Sequence, residues 1–278
     1  MLWRELDGIE WLEAELPGAQ AAFSTRLGGV SEGPFMSLNL GRLTGDLPDA
    51  VGENRHRLAA AVGIDPERVL IGRQVHGAAV VRRDQPPEPG VYTNPAPGLP
   101  EADGQATALT NVAPLVFVAD CLPVALAGPG GVAMIHCGWR GLAAGIVERG
   151  VHEVEARAAA VGPGIGPCCY EVGQDVLAAF ERLGLDVARG RMLNLRRAVR
   201  LLLERAGVES VQVAEECTSC QPALFFSHRR DGGRTGRQAG LVWASDEVAV
   251  RASEPAAPLA PEPAGNGGQA EASGGFIP

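Results

Sequence analysis

His76, Cys121 and His136 offer two imidazoles and a thiol, each at the end or edge of an expected strand. Two imidazoles and a thiolate suit Zn²⁺, and three protein ligands leave a fourth position for water, the arrangement of catalytic zinc. Such an ion ionises water near neutral pH or polarises a substrate oxygen. Copper fits less well. Met134 alternates onto the face of His136, so a two-His, one-Cys, one-Met copper site can be drawn. A multicopper enzyme, however, needs a trinuclear cluster built mainly of imidazoles, and the chain has only five histidines. The same residues also suit a cysteine hydrolase, with Cys121 as nucleophile, His76 or His136 as base, and Asp120 or Asp103 orienting it. In the blandest reading, Cys121 is a small buried hydrophobe and the histidines are ordinary hydrogen-bonded residues. Spacing alone leaves these readings open.

Other reactive groups are less persuasive. Cys217-x-x-Cys220 is compact but lacks a second pair nearby, and the adjacent Cys168 and Cys169 would point apart in extended chain, so no metal is expected there. The cytidine-deaminase signature, H-x-E followed by P-C-x-x-C, is not met by Pro167-Cys168-Cys169 or by Glu216-Cys217, which excludes that fold. Arg26 ends a strand beside Gly28 and Gly29, whose backbone N–H groups are open to an anion. Arg140 sits in the tight turn Gly138-Trp139-Arg140-Gly141.

The elements that must position these residues follow from periodicity. Val116–Ala119, Leu122–Ala127 and Val132–Ile135 are apolar runs, the last two separated by the turn signal Gly128-Pro129-Gly130-Gly131. This stretch reads as a hairpin carrying Cys121 and His136 on one sheet. A strand from Leu70 to Gly77 is expected to place Gln74 and His76 on one face. Residues 1–22 read as an amphipathic lead-in, Ala21–Arg26 as a strand, and 46–62 as a helix capped by Asp49. Residues 84–100 are a proline-rich loop. Leu142–Ala160 reads as one amphipathic helix with His152 on its solvated side, and 174–183 and 194–206 read as two more. Val211–Ala214 and Gln238–Ala244 are strands, and the glycine- and proline-rich 161–172 is a binding loop. Residues 1–250 form one domain, and 251–278 lack periodicity and are expected to be a disordered tail.

Composition bounds the function. An apolar fraction of 46% supports a substantial core. A net charge of −9 leaves no basic surplus for non-specific nucleic-acid binding. No secretory leader and no long apolar span is visible, and six cysteines without a framework suit a reducing compartment. The expectation is a cytoplasmic protein without membrane or nucleic-acid partners.

Several stretches, taken in order from about residue 20 to 245, resemble one family. They are Phe23-Ser24-Thr25-Arg26-x-Gly28-Gly29-Val30-Ser31, Ser37-Leu38-Asn39-Leu40-Gly41, Gln74-Val75-His76-Gly77 and Ala102-Asp103-Gly104. Ala119-Asp120-Cys121-Leu122-Pro123, His136-x-Gly138-Trp139-Arg140-Gly141 and Gly166-Pro167-Cys168-Cys169-Tyr170-Glu171-Val172-Gly173 follow. The last are Phe225-Phe226-Ser227-x-Arg229-Arg230-Asp231 and Thr235-Gly236-Arg237-Gln238. Together they resemble the polyphenol-oxidase (laccase-domain) family of purine nucleoside phosphorylases.

The resemblance implies an α/β (α+β) fold, a mixed β-sandwich flanked by helices, and a zinc site on His76, Cys121 and His136. It also implies phosphorolysis of adenosine, inosine, guanosine and S-methyl-5'-thioadenosine, with adenosine deamination as a further activity. Purine nucleosides and phosphate are then the partners. His76, Cys121, His136 and Arg140 form the expected catalytic set, and Arg26, Asn39, Asp103 and Glu171 the expected substrate and phosphate contacts. Arg26 and Arg140 would hold phosphate, while Asp103, Asp120 and Glu171 are candidate proton carriers. A non-catalytic zinc-binding interaction protein is the alternative from another class. Two departures from the family pattern stand out: the run Asn194-Leu195-Arg196-Arg197-Ala198, and Cys137 in place of the commoner alanine.

Overall fold

The computed structural model describes residues 1–94 and 98–244, and the expected tail lies outside them. Strands β1 (Leu2–Leu6), β2 (Ile9–Leu16) and β3 (Ala19–Ser24) form the amino-terminal meander, so the expected lead-in is a hairpin. Helix α1 (Pro48–Ala61) follows, with Pro48 at its first turn and Leu47, not Asp49, at the cap position. Next come β4 (Val69–Leu70), β5 (Val80–Arg82), β6 (Gly104–Thr107), β7 (Ala113–Val118), β8 (Leu122–Gly128) and β9 (Gly131–Cys137). The chain continues through α2 (Trp139–Ala143), α3 (Ile146–Val154), β10 (Ala158–Val161) and α4 (Gln174–Arg182). It ends with the short pair β11 (Ala188–Arg189) and β12 (Met192–Leu193), then α5 (Leu195–Arg205), β13 (Ser210–Val213) and β14 (Gln238–Ala244).

Two mixed six-stranded sheets result. The first has the order β1-β2-β3-β14-β7-β4 and the second β13-β10-β8-β9-β6-β5. Period-two alternation divides the side chains of each between two cores. Phe23, Val116, Val242, Ala125, Met134 and Ala158 meet between the sheets. On the outer face of the first sheet, Trp11, Leu115 and Leu241 pack with Leu58 of α1. On the outer face of the second, Val124, Leu126 and Ile135 pack against α3, α4 and α5. The fold is therefore the expected helix-flanked sandwich. The sheets come close at Gly240, where a Cβ would lie 2.5 Å from Cβ of Pro123.

Two expectations fail locally. Residues 142–160 are not one helix. Gly145 and Glu155, both left-handed, bound α3, and Ala158–Val161 becomes a fully buried strand between β8 and β13. Alanine has high helix propensity, but here Ala158 and Ala160 fill the narrow gap between sheets, and tertiary burial overrides the local preference. Likewise the strand expected from Leu70 to Gly77 ends at Leu70: apart from a single bridge at Arg73, 71–79 runs irregularly from the first sheet to the second. Gln74 compensates by bonding the backbone of Phe117 both ways: its amide nitrogen donates to Phe117 O and its oxygen accepts from Phe117 N, each at 2.8 Å.

The close approach at Gly240 is testable. Gly240→Val should destabilise the protein by about 1–3 kcal/mol in denaturant unfolding through overpacking; a variant as stable as the parent would contradict this inter-sheet geometry.

Candidate functional site

The three expected ligands converge at the junction of the two sheets. His76 lies in the crossover from β4 to β5, Cys121 in the tight connection from β7 to β8, and His136 near the end of β9. They were expected on one sheet; instead, each of the first two sits where the chain changes sheets. One ligand atom from each lies within 4.8 Å of the others, and the two imidazole rings are 4.9 Å apart at 71°. His136 is buried, Cys121 half-buried and His76 exposed, so the group opens to one side. Gly138 makes room for it, since a Cβ there would lie 3.0 Å from Cys121 Sγ.

Asp103 organises this group from beneath. Its carboxylate is fully buried and accepts the backbone N–H groups of Val75, His76 and Gly77 at 3.1, 2.9 and 2.7 Å. Three successive amides converging on one carboxylate hold His76 in the left-handed region, φ 59°, a conformation that needs such support in a non-glycine residue. Nδ1 of His136 lies 2.8 Å from Oδ1 of Asp103, which orients the ring and leaves Nε2 for a ligand. Burial alone would raise the Asp103 pKa, but the bonds from His136 and the backbone amides hold it below the usual carboxylate range. Asp103 was expected at substrate or as a proton carrier; its place is under the ligands, with its oxygens occupied.

Asp120 is also pinned. Its Oδ1 accepts from Thr218 Oγ1 and its Oδ2 from Arg229 N, both at 2.7 Å, and it too has a left-handed backbone, φ 89°. Burial opposes ionisation of Cys121, yet the charge and hydrogen bond of His136, with the hydrogen bond of His76, bring its pKa down to about 6. Burial would lower His136, but the Cys121 thiolate and Asp103 raise it to about 9. Each charge thus offsets the burial cost of the other, which favours the thiolate and the imidazolium together.

A cavity of about 800 Å³ extends from His76, Cys121 and His136, within the range of small-molecule sites. Ile71, Leu99, Phe117, Trp139 and Tyr170 supply apolar and aromatic wall; Arg42, Arg55, Arg73, Arg140, Arg229 and Arg237 also line it. Arg140 stacks on Trp139 at 4.4 Å and meets no carboxylate among the described residues in an ion pair. Arg237 has its pKa lowered by burial, opposed by the negative charge of Cys121 and Asp120. Arg229 stacks over Tyr170 at 5.2 Å.

Three sequence candidates lie elsewhere. Arg26 donates to the carbonyls of Met36 and Pro222 at 2.7 and 3.1 Å and stacks on Phe226, so it braces loops and is absent from the cavity lining. Asn39 is fully buried. Its Oδ1 accepts from the backbone of Gly41 and Arg237, and its amide donates to Thr44 and Asp46, so it fixes the chain at Arg237 and does not face the cavity. The exposed carboxylate of Glu171 pairs with Arg191 at 3.2 Å, and only its carbonyl reaches the wall, accepting from Arg229 at 2.8 Å. Cys137, the other departure from the family pattern, is fully buried in the helix-side core with its thiol pKa pushed up by burial. Sequence reasoning missed Arg229 and Arg237 as wall residues, although both stand inside the motifs that carried the family resemblance.

Donor set, orienting carboxylate and adjoining cavity define a ligand-binding α/β protein with a site suited to one metal ion. Comparison with known proteins places the chain more closely. The family model described as multi-copper polyphenol oxidoreductase laccase matches residues 20–245, and the chain belongs to this family. It is 37% identical to purine nucleoside phosphorylase YlmD of Geobacillus stearothermophilus, over 85% of this chain and 95% of that protein. It is 40% identical to a purine nucleoside phosphorylase of Deinococcus radiodurans, over 84% of this chain and 93% of that protein. The crystal structure of YlmD from G. stearothermophilus superposes with a TM-score of 0.80 at 36% identity, covering 87% of this chain and 98% of that one.

Two outcomes follow from the site. Between pH 7 and 8, Zn²⁺ binding should release about one proton, because the coupled Cys121–His136 pair holds one proton more than its metal-bound form, with affinity rising towards pH 9; calorimetry in buffers of different ionisation enthalpy reads this, and zero release would show that the pair does not hold this proton. Asp103→Asn should weaken Zn²⁺ binding roughly 10- to 100-fold, whereas unchanged affinity would remove Asp103 from the site.

Proposed function

We propose that this protein is a zinc-dependent purine nucleoside phosphorylase of broad specificity working in the cytoplasm. Adenosine, inosine, guanosine and S-methyl-5'-thioadenosine are cleaved by phosphate to the free base and the corresponding sugar 1-phosphate, with adenosine deamination as a further activity. The observation that carries the reading is one cavity joining a His–Cys–His group, aromatic wall and the Arg140 guanidinium, which meets no carboxylate among the described residues. The printed names of the relatives support it. Free thiols throughout the described chain suit a reducing compartment.

The donor set favours zinc over copper. Thiolate and imidazole suit a tetrahedral ion with an open position. Met134 is buried between the sheets against Gly240, and five histidines cannot build a trinuclear copper cluster. When bound, Zn²⁺ supplies Lewis acidity towards the purine or a water at the mouth of the triad.

The chain's own residues account for the remainder. Breaking the N-glycosidic bond builds positive charge on the sugar and negative charge on the departing base. Fixed guanidinium groups place phosphate beneath the anomeric carbon without reorganisation during reaction. Arg140, at the start of α2, and Arg237, whose Nη1 is fixed by the carbonyls of Thr235 and Gly236 while the side chain lines the cavity, are assigned that task. Tyr170 and Trp139 offer faces for the purine, and burial raises the Tyr170 hydroxyl to about 12, keeping it protonated as a donor. His136, fixed by Asp103, holds its ligand nitrogen towards the cavity.

Zinc-loaded protein should release hypoxanthine from inosine only when phosphate is present, with ribose 1-phosphate formed in equal amount. Base release independent of phosphate, or none at all, would overturn the proposal. Zinc and turnover should disappear together in His76→Ala. Arg140→Ala should raise KM for phosphate roughly 10- to 100-fold with zinc retained, and Arg26→Ala should leave that KM unchanged.

A further inference from the structure

We propose that Cys168, Cys169, Cys217 and Cys220 form a second metal site, taking a single Zn²⁺ through four thiolates. These residues share no member with the His–Cys–His group, yet their sulfurs lie within 4.8 Å of one another. Adjacent cysteines would diverge in a strand, but Cys168 and Cys169 occupy a turn at 167–169, and a second turn at 218–220 follows Cys217. A parallel bridge between Gly164 and Cys217 brings the two turns together, and Thr218 N donates to Gly164 O at 3.1 Å.

The spacing matches a shared centre. Cys220 Sγ lies 3.5 Å from Cys168 Sγ and 3.3 Å from Cys169 Sγ. In a tetrahedron with zinc–sulfur bonds of about 2.3 Å, neighbouring sulfurs are about 3.8 Å apart. A disulfide would pair Cys220 with one partner at about 2.0 Å; here one sulfur approaches two. A dinuclear iron–sulfur cluster would hold its thiolates in two separated pairs, whereas all four sulfurs here are mutual neighbours.

Two further observations fit metal-bound thiolates. Gly166 N donates to Cys217 Sγ at 3.1 Å. Arg196 is buried against the cluster: it donates to the carbonyls of Gly164 and Glu216, its Nε has no partner among the described residues, and a Cβ on Gly166 would meet both Arg196 Nη1 and Cys168 Sγ. Binding converts four thiols and Zn²⁺ into a tetrathiolate of charge −2, with four protons passing to solvent. The Arg196 guanidinium offsets part of that charge.

The clamp would fix one wall of the catalytic cavity. Tyr170 directly follows the first turn, and the second turn leads to Arg229, which stacks on Tyr170. Thr218, between the cysteines of the second turn, holds Asp120 beside Cys121.

Metal analysis of full-length protein purified under reductant tests the site. The parent should carry about two zinc ions per chain, and His76→Ala/His136→Ala about one. Cobalt substituted into that double variant should give intense thiolate-to-cobalt charge-transfer absorption. Cys168→Ser/Cys220→Ser should lose one ion from the parent; should it fail to fold, the double-histidine variant still decides. A metal-free double-histidine variant, whether its four thiols titrate as free or a disulfide shows in its intact mass, would overturn the proposal.

Discussion

The structure depends on one buried carboxylate. Asp103 takes three consecutive backbone amides from the crossover that carries His76, and with the same group it orients the ring of His136. A buried carboxylate is costly unless its lone pairs are filled, and here four donors fill them. The crossover is thereby tied to β9 although the intervening chain runs from one sheet to the other. Without that tie, nothing in the irregular 71–79 segment would hold His76 in a left-handed conformation facing its partners.

The sandwich supplies the setting. Its two sheets have no strand in common, and the chain passes between them at 119–121 and at 71–79 among other connections. Regular pairing ends at these points, leaving side chains free to converge. Asp120 is the counterpart of Asp103 on the opposite side: its left-handed backbone turns the chain into β8, and its carboxylate gathers Thr218 and Arg229. The cavity therefore has walls drawn from loops far apart in sequence, each fastened to a strand end by a buried acid. No helix among the described residues is long and apolar enough to cross a membrane.

Much of this was legible in the residues. Apolar runs and a glycine-proline turn signal located the β8–β9 hairpin, β14 falls at its expected limits, and the helical segments α1, α4 and α5 lie within a residue or two of theirs. The candidate ligand triad followed from residue type together with family resemblance. What sequence could not show was tertiary. The alanines at 158–160 favour a helix in isolation, and burial on both faces, Ala158 and Ala160 between the sheets and Ala159 towards the helices, makes them a strand. Arg26 sits in a phosphate-like glycine context, but its guanidinium is taken up by two carbonyls and a phenyl ring. The roles of Asn39 and Asp103 could not be told from a list of polar residues near the motifs, because what distinguishes them is complete burial with every lone pair engaged. Convergence of four cysteines from two turns depends on a bridge between loops, which leaves no local pattern.

The central claim is that His76, Cys121 and His136 hold one metal ion at the sheet junction. An anomalous difference map at the zinc edge, from crystals of the zinc-loaded protein, tests it most directly. The account predicts a peak at about 2.0–2.3 Å from a nitrogen of each histidine and from the Cys121 sulfur. Absence of anomalous density at that position, in protein shown to contain zinc, would contradict it.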